Sequence, residues 1–327
     1  MTNLQYTIRQ NLGVLLAITL FMVMFTIYVT NHQAGLNPNV VATAANKGVL
    51  LALVAMAQTL PILTAGLDLS VGMVFILANS LASALVSGSP LETAVGIVIV
   101  LIVSLLCGML NGLIVVYGRL QPIITTLATG SVFFGAALVI RPSPGGTVNE
   151  DLADALAYDL MFGVIPPSLL VLLGVIVFIW MPFRRSTWGR AMYAAGSAES
   201  AGYMSGLNVN MGKFMAYSLA GLFSGIAGLM LTFMTYAGEA NAALGGTYTL
   251  NSIASVVIGG TSLFGGAGGV IGSVFGAFVF RTIGDLLFVF DLDALYQPLF
   301  IGLVLLVSVS MGSIRLLKVK NRLELFK

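Results

Sequence analysis

Stretches of apolar residues parted by short polar segments recur along the whole of this chain. Ten such runs can be drawn: 12–29, 49–65, 71–86, 94–117, 123–140, 165–182, 211–236, 250–258, 270–283 and 295–311. A membrane-crossing helix needs about 20 residues, most of them apolar. The pattern therefore predicts an all-α polytopic membrane protein, with about ten passes in a single transmembrane domain over residues 1–327. Run 250–258 is short and breaks into glycines, so it is either a span or a re-entrant segment. Run 12–29 is too long for the core of a signal peptide, and no Ala-x-Ala cleavage pattern follows it. It is expected as a retained span.

Composition agrees with that reading. The chain is 58% hydrophobic and 8% charged, with a mean hydropathy of +1.02, whereas soluble domains carry about 25% charged residues. The net charge of +2 says less than its distribution. Ten passes put both termini on one side. Arg315, Lys318, Lys320, Arg322 and Lys327 assign that side to the cytoplasm, since short cytoplasmic segments are enriched in Lys and Arg. Arg9, Arg119, Arg184, Arg185, Arg190 and Lys213 then fall on the same side. The opposite loops collect Glu92, Glu150, Asp151, Asp154, Asp159, Glu239, Asp291 and Asp293, against Lys47 and Arg141. Both termini are thus expected to be cytoplasmic.

Three segments break the apolar pattern. The stretch 184–211 is polar, rich in small residues, and contains Glu199 as its one acid. It reads as short helices on the cytoplasmic surface that another protein can grip, or as a solvated loop. The stretch Thr64-Ala-Gly-Leu-Asp-Leu-Ser-Val-Gly72 puts Asp68 between two apolar runs, with Gly66 and Gly72 around it. A carboxylate at membrane depth costs roughly 3 kcal/mol on insertion scales and is a functional candidate by default. The alternative is a cap, in which Asp68 accepts from the amides of residues 69–71 at the start of the next helix, with the glycines letting the backbone turn. The third stretch, 259–272, holds seven glycines in fourteen residues. It cannot be a lipid-facing helix, and must be buried in protein, line a cavity or lie at the surface.

Candidate chemistry is sparse. No GxxxxGK[ST] occurs, so any ATP site belongs to another chain. Cys107 is single, which excludes a disulfide framework. His32 is the only histidine and has no metal-ligand company. Gly221, Gly225 and Gly228 have the spacing of close helix packing. Asn79, Asn111, Thr125, Asn251 and Ser255 are polar residues inside apolar runs. They are candidates to line a solute path, or to make interhelical hydrogen bonds worth about 0.6 kcal/mol each. Amides and hydroxyls suit a neutral polyol better than an ion. An ion-coupled transporter is the other class weighed. It would rely on Asp68 and Asp285, which are not in corresponding positions of two halves.

Four motifs carry a resemblance: TAGLDLSVG at 64–72, LNGLIVVYGRLQPIITTLATG at 110–130, GRAMYAAGSAESAGYMSGL at 189–207 and IASVVIGGTSLFGGAGGVIGSVFGA at 253–277. In that order, over nearly the whole chain, they resemble the permease subunits of ribose-, xylose- and galactose-type sugar ATP-binding-cassette importers. The resemblance implies a type II importer fold in a bacterial inner membrane. It implies two permease copies, alike or different, and two ATPase subunits that hold ATP and magnesium. It also implies a periplasmic solute-binding protein docking on loops 31–48, 141–164, 238–249 and 285–294. No cofactor in this chain and no nucleic acid is implied. Segment 189–207 would contact the ATPase, through Gly189, Arg190, Glu199, Ser205 and Gly206. Gly66, Asp68, Ser70 and Gly72 would be a structural motif. The chain departs from the family at Leu120-Gln121-Pro122-Ile123 and in the outer loop 141–146, which bears on the solute. Some relatives handle nucleosides or branched-chain amino acids.

Overall fold

Proline starts four of the helices, at the first helical position, where its missing N–H is not needed. The structure is a computed structural model and describes residues 12–304 and 306. In chain order the helices are α1 (Leu12–Asn31), α2 (Pro38–Leu63), α3 (Val71–Leu85), α4 (Pro90–Gly112), α5 (Pro122–Ile140), α6 (Glu150–Ala157), α7 (Pro167–Gly174), α8 (Thr187–Met204), α9 (Val209–Thr235), α10 (Ala242–Ile258) and α11 (Val270–Val289). A π-helical turn, Leu113–Tyr117, extends α4, and a second, Val175–Trp180, carries α7 on to Arg185.

Among the described residues, seven helices are long and apolar enough to cross a membrane: α1, α2, α4, α5, α7, α9 and α11. The 15 residues of α3 and the 17 of α10 are apolar but short. The expected last run, 295–311, lies partly outside the described residues, as do Arg9 and the basic residues from 315 onward. Two expected boundaries move. The second helix begins at Pro38 rather than near 49, because Asn37 caps it and alanines continue the helix through Asn46 and Lys47. The eighth begins at Ala242, capped by Asn241, and runs through Gly245 and Gly246. The parts of loops 31–48 and 238–249 that follow these caps are therefore helical.

The interior is built around α2 and α9, whose middle turns are buried, while α1 buries only Ala17 and Tyr28. Small residues set the crossing of α4 and α9. A Cβ on Gly221 of α9 would stand 2.3 Å from the Ser104 carbonyl of α4, and one on Gly108 2.3 Å from the Tyr217 carbonyl. Backbones at such range gain dispersion contacts that lipid cannot match.

The connections sort to two ends. At one, the Gly266 amide donates to the Leu63 carbonyl at 3.0 Å, and Tyr193 of α8 donates to the Gly268 carbonyl at 3.0 Å. At the other, Gly145 and Gly238 exchange two backbone hydrogen bonds of 3.0 and 2.8 Å. There Asn46 also donates to the Ala157 carbonyl at 2.8 Å, and Tyr236 donates to Asp154. Of the loops grouped by charge, 141–164 and 238–249 thus touch each other among the described residues.

Candidate translocation and coupling site

The backbone is irregular inside the bundle at two places. The first is residues 64–70, between α2 and α3. The chain turns at Ala65 in a left-handed conformation (φ 61°) beside Gly265 and Gly196, then runs inward to Asp68. Buried irregular backbone must have its polar groups satisfied by protein, and here side chains of two other segments and of the segment's own Asp68 do it. The Leu69 amide donates to Thr126 Oγ1 (2.9 Å), the Ser70 amide to Asp68 Oδ1 (2.9 Å) and the Gly72 amide to Thr249 Oγ1 (3.1 Å). Asp68 is 1% exposed, and is the one fully buried charged side chain among the described residues. Its Oδ1 also accepts from Ser70 Oγ (2.6 Å), and its Oδ2 from Asn111 Nδ2 (3.4 Å). Asn111 donates to Ser70 Oγ at 2.7 Å and accepts from Thr129 at 2.6 Å. The network ties α3 to α4 and α5.

The second irregular place is residues 236–241, before α10, and it comes from the opposite end. Asn79, in the middle of α3, satisfies it. Its Oδ1 accepts from the Glu239 amide (2.9 Å), and its Nδ2 donates to Thr232 Oγ1 (2.9 Å) and to the Ala237 carbonyl (3.3 Å). The two short helices lie antiparallel and in backbone contact. A Cβ on Gly72 would stand 1.9 Å from the Gly245 carbonyl, and one on Gly238 2.8 Å from that of Asn79. Each short helix thus follows a non-helical lead-in packed against the other elements, one from either end.

Over the first irregular place sits a cleft of about 520 Å³, bounded by 64–66, Arg119, Glu199, Lys213 and Tyr217. Segment 184–211 forms its roof. Ser186 caps α8 by accepting from the Gly189 amide at 3.1 Å. Gly189 is buried where a Cβ would meet the Phe183 carbonyl at 2.3 Å. At Ala198 (φ −161°, ψ 93°) α8 breaks into two short helices. It ends at Gly206 (φ 76°), where the Leu207 amide donates to the Gly202 carbonyl at 3.2 Å and the Gly206 amide to that of Tyr203 at 3.0 Å. Glu199 pairs with Lys213 of α9 at 2.7 Å. Trp188, Tyr203, Met204 and Phe264 leave apolar surface exposed at this end. Burial pushes the Tyr193 phenol up, with the Arg184 guanidinium pulling it the other way.

Comparison with known proteins fits this architecture. Residues 40–309 match the family described as "Branched-chain amino acid transport system / permease component". The chain belongs to that permease family. It is 33% identical over 306 residues to a ribose import permease of Bacillus subtilis, covering 92% of each chain. It is 36% identical over 264 residues to that of Haemophilus influenzae, covering 79% of this chain and 80% of the relative. A fructose import permease of Rhizobium meliloti is 31% identical over 270 residues, covering 80% of this chain and 74% of the relative. No solved structure matches.

Within this permease the residues singled out from sequence fall into three groups. Asp68, Ser70, Asn111 and Asn79 hold the irregular backbone at the two lead-ins. Asp68 is not the helix cap itself. Ser70 occupies that position, and Asp68 reaches its amide from two residues upstream. Gly66 and Gly72 do not make the turn, which Ala65 makes. They admit close neighbours, Tyr217 Oη and the Gly245 carbonyl. Thr125 is buried and Asn251 half-buried, and neither side chain has a hydrogen-bond partner among the described residues. Ser255 bonds back to the Asn251 carbonyl at 2.7 Å. Gly189, Glu199, Ser205 and Gly206 shape α8 and its ends, and Arg190 is exposed beside them. Two further residues have no place in the sequence reading. Gln58 lies fully buried in α2 with both amide atoms unpartnered, and Arg281 lies within α11. Both were visible as polar residues inside apolar runs, the rule that picked out Asn79.

Proposed function

We propose that this chain is the membrane-spanning subunit of an ATP-binding-cassette importer that moves a small neutral solute, a monosaccharide, across a bacterial inner membrane. The observation that carries the solute class is similarity to a ribose import permease along 92% of both chains. The site chemistry supports it. Apart from Asp68 and Glu239 the polar groups at the lead-ins are amides and hydroxyls, and both oxygens of the one fully buried carboxylate, Asp68, are already engaged. A zwitterionic amino acid would need fixed charges of both signs, and neither lead-in carries a Lys or Arg.

In this reading the protein makes ten passes with both termini cytoplasmic, α3 and α10 each crossing together with its lead-in. A periplasmic binding protein delivers the solute to the end that holds 141–164. ATP and magnesium bind on separate ATPase subunits, which grip α8. Closure of the ATPase dimer pushes α8 against the glycine loop 259–269 and the 64–70 lead-in, which it touches through Gly196 and Tyr193. That motion reorients the short helices and switches access for the solute between this permease and a second copy, alike or different. Thr125 and Asn251 have spare hydrogen-bonding capacity for a sugar hydroxyl. Loose contacts suit a path that must release its cargo.

The test is gentle solubilisation of the tagged chain from its native membrane, with mass spectrometry of what co-purifies. A P-loop ATPase subunit held in comparable amount, and lost when 189–207 is altered, is the expected result. A chain that purifies alone and moves sugar in liposomes without ATP would overturn the proposal.

A further inference from the structure

At the end opposite α8, helices α1, α2 and α11 bound a second cleft, of about 460 Å³. Three charged side chains line it: Lys47 of α2, and Arg281 and Asp285 of α11. Lys47 Nζ lies 3.1 Å from Asp285 Oδ1, so those two charges offset each other. Arg281 is left over. Its Nε is buried and has no hydrogen-bond partner among the described residues. Tyr28 and Thr43 add hydroxyls to the same walls.

A guanidinium without a partner inside a membrane protein is costly, and such residues pair or mark a site. The depth of this one says which kind. Arg281 stands eight residues before the end of α11 at Val289, about 12 Å along the axis at 1.5 Å per residue. Lys47 stands nine residues after Pro38, about 14 Å from the start of α2. Long basic side chains at such depth reach toward the headgroup level. Tyr28 near the end of α1 and His32 just after it complete the wall of the cleft.

We infer that this cleft holds the phosphate of a membrane phospholipid, with Arg281 as principal donor and Lys47 as the second. Asp285 fixes Lys47 and limits the net charge of the cleft to one positive charge. That matches the single negative charge of a phosphodiester better than the nearly two of a free phosphate or monoester. The inference rests on the chain spanning a membrane, and does not depend on which solute is carried.

The test uses the full-length chain, purified in detergent and delipidated, titrated with phosphatidylglycerol, with diacylglycerol and with inorganic phosphate, and read by native mass spectrometry. Phosphatidylglycerol should bind and diacylglycerol should not. Arg281→Gln should weaken phosphatidylglycerol binding roughly tenfold, the scale of one lost charge-assisted hydrogen bond, at an unchanged thermal midpoint. Arg281→Lys should fall between, since it keeps the charge and loses the fork. Lys47→Gln should weaken binding less. If Arg281→Gln does not fold, the other two variants decide. Equal phosphatidylglycerol binding by the wild type and the folded variants would overturn the inference. So would Arg281-dependent binding of inorganic phosphate in place of lipid.

Discussion

Asp68 and Gly72 stand four residues apart and serve the same break in opposite ways. Asp68 supplies acceptors to the Ser70 amide and hydroxyl. Removing an acceptor strands buried donors at about 1–3 kcal/mol each. Asp68→Ala should therefore lower the thermal midpoint and the yield of folded protein. Asp68→Asn keeps one acceptor oxygen and should stay near wild type in both stability and uptake. Normal stability with abolished uptake in Asp68→Asn would mean that the carboxylate itself takes part in transport. Gly72 supplies absence. Gly72→Ala would drive a methyl to 1.9 Å from backbone at Gly245, whereas Gly66→Ala meets only the end of the Tyr217 side chain at 2.5 Å. Gly72→Ala should fold poorly and Gly66→Ala tolerably, as fluorescence-detected size exclusion would read. Equal behaviour would contradict the close packing of α3 on α10.

At the scale of elements, α8 is held at both ends and kinked between, which suits a part that transmits motion. Its C-terminal stop depends on Gly206 in a left-handed conformation, which costs other residues roughly 1–2 kcal/mol. No side chain crowds the position, so Gly206→Val acts on backbone alone. It should leave membrane insertion intact while separating ATP hydrolysis from uptake in the assembled complex. Glu199→Ala, which frees Lys213, should do the same more weakly. Uptake and hydrolysis both at wild-type level in Gly206→Val would remove α8 from the coupling path.

For the whole molecule, the sorting of loops into two ends is a statement about sidedness that labelling can check. Cys107 is the one cysteine and is buried, so a Cys107→Ser background is clean. Ser197→Cys on α8 and Ser89→Cys before α4, both exposed, should react with an impermeant maleimide from opposite faces of the membrane. Ser197→Cys should react from the cytoplasm. Labelling of both from one face would break the alternation of the passes.

Several of these features were legible in the sequence. Long apolar runs can be stable only as membrane helices, so class and most spans followed from period and length. The family followed from four motifs in order. The acid-bearing loops 141–164 and 238–249, which the charge pattern puts on one side, meet through Gly145 and Gly238. Other features were not legible. Helix starts at Pro38 and Ala242 lay inside expected loops, because Asn caps and alanines form helix without raising hydropathy. The roles of Asp68, Asn79 and Asn111 depend on partners 18 to 160 residues away, apart from Asp68's own bonds to Ser70. No local pattern records such pairings. Arg281 stands in the sequence as a charge inside run 270–283, but its lack of a partner among the described residues does not. Local chemistry decides what each segment can be, and only folding decides which buried polar group finds which partner, and which, like Arg281, is left without one among the described residues.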